Sequence, residues 1–442
     1  MTAHAEHTGT DPAGDLAPEA ATQEQAGTAT ATTTATIEPT PLLHPRDGVP
    51  DVVADERTLV RAAEAIAGGT GPIGMDAERA SGYRYGQRAY LVQLRREGAG
   101  TWLVDPVACP DLSPLQEAIG DAEWILHAAT QDLPCLTEVG LRPHALFDTE
   151  LGGRLAGLPR VGLGAMVEHY LGLQLAKEHS AVDWSTRPLP EPWLRYAALD
   201  VEVLADLRDA VAADLTAQGK GGWATEEFES LLSFTGPEPR VDPWRRTSGM
   251  HRVRGRRGVA VVRELWFWRD AVAQQRDVSP GRVLPDAAIS EIAVANARAT
   301  TPPRSVGSSD PRLARSIRRN QEAIIEAVAR ALALPEDDLP PLTLPPTGPP
   351  PPKAWADRDP VAAGRLARAR ELLTAVSGEL AIPVENLLTP DLLRRFLWEG
   401  PAAPSTAEIA AALEDMGARH WQTRIVAPLV AVACAEHPGA DA

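Results

Sequence analysis

The chain has 442 residues, of which 44% are hydrophobic, so it is long and apolar enough for about two to four domains with hydrophobic cores. Its three cysteines form no CxxC or Cys/His cluster, which excludes a disulfide framework and a structural zinc site. Its net charge of −17, taken alone, argues against a nucleic-acid partner.

The charge is unevenly distributed along the chain. Residues 1–50 contain seven acids and one Arg, a net charge of −6, whereas residues 240–330 contain 18 Arg and nine acids, a net charge of +9. The acidic total therefore hides a basic segment that could contact an RNA backbone. A flexible charged linker is the alternative interpretation of its densest part, which contains Arg245, Arg246, Arg252, Arg254, Arg256 and Arg257.

The sequence gives no sign of export or of a membrane segment. Its first residues have neither a basic region nor an apolar region, as a signal peptide would. No apolar run approaches the roughly 18 residues that a spanning helix needs. We therefore expect a cytoplasmic monomer without a membrane partner, and the free cysteines are typical of a reducing compartment.

Residues 1–45, rich in Ala, Thr, Glu and Pro, are predicted to be a disordered tail. Strands and helices then alternate over residues 48–215, which predicts an α/β layer domain that can fold by itself. ERTLVRAAEAIAG is a predicted helix, GPIGMDAE a strand that ends in carboxylates, and AYLVQLRREGAGTWLVDP a hairpin. EWILHA is a predicted buried strand, and PEPWLRYAALDVEVLADLRDAVAADL is predicted to be one long helix.

The second half of the chain shows helical patterns only. An Arg-rich linker is predicted over residues 216–257, and a helical domain over residues 258–334. A linker with nine Pro follows over residues 335–353, and a second helical domain over residues 354–437. The two helical domains are similar in size, which indicates a degenerate repeat.

The strongest chemical signal is a set of acids at structural junctions. The Asp-x-Glu step occurs four times, so only its context is informative. Asp76 and Glu78 leave an apolar strand, where alternation places both side chains on one face. Such a pair is costly beside apolar residues unless a cation binds it. A solvated strand end is the alternative interpretation.

Two further junctions carry acids. In His127-Ala-Ala-Thr-Gln-Asp132, a strand ends and a helix begins, with Asp132 in its first turn, where it could instead serve only the helix dipole. Tyr196 and Asp200 are four residues apart and therefore lie on one helical face. A tyrosine packed on a sheet beside an unrelated exposed acid is the alternative.

In this order and context, the three motifs resemble the DEDD superfamily of 3′–5′ exonucleases, in which the tyrosine marks the DEDDy branch. Phe147-Asp148-Thr149, Asp183-Trp184 and Arg187-Pro188-Leu189 resemble the ribonuclease D family. The segment RELWFWRDAVAQQRDVSPGRVLPDAAISEIA resembles an HRDC (helicase and RNase D C-terminal) domain. The resemblance implies an α/β ribonuclease H-like exonuclease domain, with a mixed sheet flanked by helices, followed by all-α HRDC-type helical domains.

The resemblance also implies a site. Asp76, Glu78, Asp132 and Asp200 would hold two divalent metal ions, Mg²⁺ or Mn²⁺, which suit an all-oxygen ligand set. Asp76 would bridge both ions, and Tyr196 would orient the attacking water. Lys177, His179 and Arg187 are candidates for contacts with substrate phosphates, with surface charge as the alternative.

The function expected from the resemblance is a metal-dependent 3′–5′ exoribonuclease that releases nucleoside 5′-monophosphates from RNA 3′ ends. Its expected role is tRNA 3′ maturation or RNA turnover, with nucleic acid bound also by the HRDC domain. The alternatives are a DNA exonuclease of the same superfamily and an inactive RNA-binding scaffold.

Overall fold

The structure is a computed structural model that describes residues 38–176, 182–345 and 347–438. Lys177 and His179 lie outside the described residues. The strands are β1 (Thr40–Leu42), β2 (Val52–Val53), β3 (Thr70–Arg79), β4 (Ala89–Glu97), β5 (Gly100–Val104), β6 (Glu123–Leu126), β7 (Ala145–Asp148) and β8 (Leu173–Leu175). The helices of the same part of the chain are α1 (Glu56–Gly68), α2 (Ser113–Ile119), α3 (Leu133–Glu138), α4 (Thr149–Ala156), α5 (Leu163–Leu171), α6 (Glu191–Glu202), α7 (Leu204–Ala217) and α8 (Gly221–Leu231).

Six strands form one sheet in the order β2-β5-β4-β3-β6-β7. β3 pairs antiparallel with β4 and parallel with β6, so the sheet is mixed. α1 packs on α2, while α6 packs on β3, β4 and β5. The predicted α/β fold, a mixed sheet flanked by helices, is therefore confirmed, and β3, which carries Asp76 and Glu78, lies inside the sheet with a neighbour on each side.

The predicted long helix is two helices, α6 and α7, which meet at Val203. Val203 is fully buried, with φ −96° and ψ −8°, so the chain turns there while its apolar side chain stays in the core. Sequence periodicity missed the break because both helices are amphipathic. The break lets α6 cover one part of the sheet while α7 packs on α4 and α5.

The prediction of a disordered tail over residues 1–45 is wrong for the last residues of that segment. Residues 40–42 form β1, which pairs in parallel with β8. Arg46 continues this anchoring through ion pairs with Glu202 and Asp206, at 3.2 and 3.0 Å. A two-stranded pairing between segments 130 residues apart leaves no local signal, which explains why the sequence did not predict it.

The HRDC-like unit comprises α9 (Gly255–Arg276), α10 (Pro280–Val283), α11 (Asp286–Asn296), α12 (Pro311–Arg319) and α13 (Gln321–Ala333). It has its own hydrophobic core, which also takes in Trp244, Val253 and Leu339. These three residues come from the two predicted linkers. Both linkers therefore contribute packed side chains, and the first also contains α8.

The C-terminal unit comprises α14 (Trp355–Arg358), α15 (Pro360–Leu380), α16 (Val384–Leu387), α17 (Pro390–Glu399), α18 (Thr406–Asp415) and α19 (His420–Glu436). From α15 to α19 the helix lengths are 21, 4, 10, 10 and 17 residues, against 22, 4, 11, 9 and 13 from α9 to α13. Both long first helices end on a left-handed residue, Asp277 and Ala381. This correspondence supports the predicted repeat.

The C-terminal unit and the exonuclease sheet share one continuous hydrophobic core. Trp223 of α8 stacks on Trp421 of α19, with ring centroids 5.1 Å apart. The buried Lys220 ammonium donates to the carbonyls of Leu155 and Leu380, at 2.8 and 2.6 Å. The sequence analysis expected residues 48–215 to fold around a core of their own. In the structure, that core is shared with the C-terminal unit. The described helices include none that is both long and apolar enough to cross a bilayer.

Candidate active site

The structure brings the acids of the three motifs to one cavity of about 680 Å³. Asp76 and Glu78 come from β3, Asp132 from the turn between β6 and α3, and Asp200 from α6. Tyr196 lies one helical turn before Asp200 and lines the same cavity. Alternation along β3 places Asp76 and Glu78 on one face, as the sequence predicted.

α6 and α7 can approach β3 closely because Gly74, two residues before Asp76, has no side chain. A Cβ at this position would lie 3.2 Å from the carbonyl oxygen of Val201 and 3.3 Å from the Cβ of Leu204. This close packing brings Asp200 to the strand. Oxygen atoms of Asp76, Glu78 and Asp200 then lie within 4.8 Å of one another.

The turn that carries Asp132 is held by Asp148, whose role the sequence did not reveal. Asp148 accepts hydrogen bonds from the backbone N–H groups of Ala128 and Ala129, at 3.1 and 2.9 Å. It also accepts from the N–H of Leu151 at the start of α4, at 3.1 Å. The Ala128 backbone is left-handed, with φ 61°, so the turn depends on this external acceptor. Asp148 thereby positions Asp132 without lining the cavity.

Asp148→Asn should lower the free energy of unfolding by about 1–3 kcal/mol. An amide NH₂ group, which donates, would replace one of the two buried carboxylate oxygens that accept from backbone N–H groups. It should also reduce kcat on a short RNA, because the turn that holds Asp132 loses a fixed hydrogen bond. Asp359→Asn is the matched control, since Asp359 caps the remote α15 through the N–H of Ala362, at 2.8 Å. Denaturant unfolding and kcat are the measurements. Equal kcat values in the two variants would contradict the positioning role.

The cavity disfavours negative charge while no cation is present. Burial raises the pKa of Asp76 to about 6. Burial also raises the pKa values of Glu78, Asp132 and Asp200 well above their ordinary range, and the charge of Asp76 raises each of them further. The charge of Arg79 lowers the pKa values of Asp76, Glu78 and Asp132, but burial outweighs it in each case. The donor set therefore fits a divalent cation bound by oxygen ligands.

The raised pKa values predict how the metal-free protein responds to pH. The folded state keeps a proton on Asp76 up to about pH 6, whereas the unfolded chain releases it near 3.8, the ordinary pKa of an aspartate. Folding stability should therefore fall as pH rises from about 4 through 6, by about 2 kcal/mol for this group. Denaturant unfolding in EDTA measures this change. The slope should be smaller in Asp76→Asn, and stability that instead rises over this interval would contradict the assignment.

Tyr196 and His127 are uncharged in this environment. Burial, followed by the charges of Asp200 and Glu78, raises the pKa of Tyr196, whose hydroxyl is hydrogen-bonded to Asp200. Burial lowers the pKa of His127 to about 4. His127 Nδ1 lies 2.9 Å from the Thr149 hydroxyl, which itself donates to the Leu126 carbonyl. His127 Nδ1 is therefore the donor, and Nε2 is left as a hydrogen-bond acceptor.

Among the described residues, the cavity is lined by two arginines that the sequence analysis did not single out. Arg79 and Arg160 line it, and Arg79 opposes the rise in the pKa of Asp132. Arg187 contacts Asp105 at 2.6 Å and donates to the carbonyls of Tyr90 and Trp184. The Arg187 guanidinium therefore makes its contacts within the protein itself. The sequence does contain a signal that could have identified Arg79, because this basic residue directly follows Glu78, the second acid of the Asp-x-Glu step.

The six arginines of 245–257 divide into two groups. Arg245, Arg256 and Arg257 donate to backbone carbonyls of residues 331–342, and Arg257 also pairs with Glu336 at 3.0 Å. These three arginines therefore hold the end of α13 and the chain that follows it against the start of the HRDC-like unit. The other three are exposed: Arg246, Arg252 and Arg254.

Comparison with known proteins agrees with this arrangement. Residues 50–216 match a family model described as 3′-5′ exonuclease, and residues 259–302 match the HRDC domain. Residues 348–434 match a model described as the 3′ to 5′ exonuclease C-terminal domain. The predicted exonuclease and HRDC resemblances are thereby confirmed, whereas the second HRDC-like domain stays a prediction.

Similar proteins include a ribonuclease D from Pseudomonas paraeruginosa, 32% identical over 267 residues, or 58% of this chain and 69% of that one. A solved protein from Bifidobacterium adolescentis is 37% identical, with a TM-score of 0.79 over 90% of this chain and all of that one. Escherichia coli RNase D, described as an exoribonuclease involved in structured RNA processing, is 25% identical, with a TM-score of 0.61 over 88% and 99%.

In eight curated relatives named ribonuclease D, the matched region spans between 58% and 72% of the relative's length. The order of the motifs, the fold and the acids at one cavity agree with these similarities. The chain belongs to the ribonuclease D family.

Proposed function

We propose that this protein is a metal-dependent 3′–5′ exoribonuclease that removes nucleoside 5′-monophosphates from RNA 3′ ends. The observation that carries the proposal is the group of Asp76, Glu78 and Asp200, whose oxygen atoms lie within 4.8 Å of one another in a cavity open to substrate. A divalent ion held there, Mg²⁺ or Mn²⁺, would supply an activated water and stabilise the leaving 3′ oxygen.

Each acid has a distinct role in this proposal. Asp76 lies within reach of both Glu78 and Asp200, which suits a ligand shared between two ions. Asp132 lines the same cavity outside that group, which suits a ligand of the second ion. Arg79 and Arg160 line the cavity and are proposed to contact phosphates of the substrate.

Tyr196 is proposed to orient the attacking water. Its pKa is raised above the ordinary value, so the hydroxyl keeps its proton and serves as a hydrogen-bonding group rather than as a base. Its bond to Asp200 ties it to the acid cluster.

Tyr196→Phe should therefore lower kcat by about 10²–10⁴ while binding of RNA stays nearly unchanged, because the ring and the carboxylates remain. Single-turnover kinetics with a short RNA measure this. A raised KM with unchanged kcat would instead show that Tyr196 packs against the substrate.

The substrate class is tested with purified protein and a 3′-extended tRNA precursor in Mg²⁺, Mn²⁺ or EDTA. We expect trimming from the 3′ end with either metal and none in EDTA. Matched RNA and DNA oligonucleotides separate the proposed activity from that of a DNA exonuclease, and no hydrolysis under any condition would favour an inactive RNA-binding scaffold. tRNA maturation and a cytoplasmic location are part of the proposal.

A further inference from the structure

Gln93 is a buried amide side chain without a hydrogen-bond partner in the middle of the sheet. It lies in β4 and is 0% exposed, and in the described part of the chain neither its Oε1 nor its Nε2 makes a hydrogen bond. Its neighbours along the strand, Val92 and Leu94, are fully buried and apolar. A buried amide that bonds to nothing loses its hydration without compensation, so its place in the sheet needs an explanation.

The register of the sheet places Gln93 directly opposite Asp76. β3 and β4 pair antiparallel, with Asp76 opposite Gln93 and Glu78 opposite Leu91. Side chains of directly opposed residues point to the same face of a sheet, with their Cβ atoms about 4.5–5.5 Å apart. The Gln93 amide therefore lies on the face that carries the acid group, and it is long enough to reach the Asp76 carboxylate.

Gln93 lies behind the acid group rather than in the cavity. The described residues that line the cavity include Asp76 but not Gln93. A fully buried amide outside the cavity cannot contact RNA. Gln93 can therefore affect hydrolysis only through a neighbour that does line the cavity, and Asp76 is the neighbour directly opposite it.

Glu202 is a second buried acid near this part of β4, but its charge is already balanced. Arg46 and Arg95 each contact the Glu202 carboxylate at 3.2 Å, and Arg95 follows Gln93 by two residues. The Asp76 carboxylate accepts from the backbone N–H of Ala77, yet burial still raises its pKa to about 6. Asp76 is therefore the acid that gains more from a further hydrogen-bond donor when it is charged.

We propose that Gln93 is a positioning residue for Asp76, whose carboxylate accepts a hydrogen bond from the Gln93 Nε2 when a divalent cation is bound. The inference rests on the proposed function. Cation binding requires a charged carboxylate, and a charged carboxylate is a stronger acceptor than a protonated one. Hydrogen-bond partners behind a metal ligand typically change metal affinity by about 10–100-fold. The amide thus costs stability in the metal-free protein and strengthens the binding of the cation.

The test compares stability with metal affinity in full-length proteins. Gln93→Met and Gln93→Leu replace the amide by apolar side chains of similar size. Gln422→Met is the matched control, because Gln422 is also buried but its Nε2 donates to the carbonyl of Asn386 in the C-terminal unit, at 2.7 Å. Denaturant unfolding in EDTA measures stability. Titration of the metal-free protein with Mn²⁺, followed by the electron paramagnetic resonance signal of the free ion, measures affinity without RNA.

We expect both Gln93 variants to unfold at the parent's denaturant midpoint or above it, because an unpartnered buried amide has been removed. They should bind Mn²⁺ at least about tenfold more weakly. The Gln422 variant should show the reverse, with a lower midpoint and unchanged Mn²⁺ affinity.

Unchanged Mn²⁺ affinity in the two Gln93 variants, or a lower midpoint in both, would overturn the proposal, because the amide would then serve folding or Glu202 instead of Asp76. A parent protein that binds Mn²⁺ but does not hydrolyse RNA would overturn the proposed function. The two failures are distinct, because the Mn²⁺ titration does not depend on hydrolysis.

Discussion

Asp76→Asn should abolish hydrolysis of RNA, a loss of at least about 10³ in kcat, and leave the fold intact. Asp76 lies at the centre of the acid group, and removing its charge weakens the binding of the cations and misplaces the water that they would activate. Asp132→Asn and Asp200→Asn should act in the same way. The measurement is single-turnover hydrolysis at saturating Mg²⁺.

The matched control is Asp121→Asn, because Asp121 is the exposed first acid of another Asp-x-Glu step. It should keep the parent rate. In EDTA, the Asp76 variant should melt at the parent temperature or above it, since one of several mutually repelling acids has been removed. Near-normal turnover of the Asp76 variant would contradict the two-metal assignment.

Removal of the C-terminal unit, in a chain that ends at residue 347, should prevent cooperative folding of the exonuclease domain. The shared core would lose Trp421 from the face of Trp223, and the buried Lys220 ammonium would lose the Leu380 carbonyl as an acceptor. The apolar surface that the C-terminal unit covers, Trp223 included, would be exposed to water, so its contribution to the free energy of folding would be lost. Circular dichroism melting and gel filtration measure the outcome.

Trp421→Ala tests the same interface in the full chain. Trp421 is 1% exposed, and its indole N–H donates to the Glu227 carboxylate at 2.9 Å. We expect a loss of about 3–5 kcal/mol in the free energy of unfolding. Val432→Ala, on the exposed face of the same helix, should change it by less than about 0.5 kcal/mol. For the truncated chain that ends at residue 347, cooperative unfolding together with activity would contradict the claim that the two units share one core.

The sequence predicted which acids meet at one cavity, because each lies at a strong local signal. Asp76 and Glu78 leave an apolar strand, and Tyr196 and Asp200 have helical spacing. Local pattern could not separate the other Asp-x-Glu steps by role. In the structure, Glu202 is buried and pairs with Arg46 and Arg95, so it belongs to the packing of the fold.

What the sequence did not predict depends on contacts between distant segments. The pairing of β1 with β8 and the stacking of Trp223 on Trp421 join residues more than 100 positions apart. The arginines of 245–257 were a reasonable expectation for RNA contact, yet Arg257 bonds to the Leu334 carbonyl at 2.6 Å. Charge alone cannot show whether an arginine faces solvent or a carbonyl.

We propose above that the acid group around Asp76 uses divalent cations to hydrolyse RNA from its 3′ end. Product analysis of a uniformly labelled RNA, incubated with the full-length protein in Mg²⁺ or in EDTA, tests it most directly. We predict nucleoside 5′-monophosphates as the sole small product in Mg²⁺, no product in EDTA, and resistance of an RNA with a 3′-terminal phosphate. Internal fragments, nucleoside 3′-monophosphates or undiminished hydrolysis in EDTA would contradict the account.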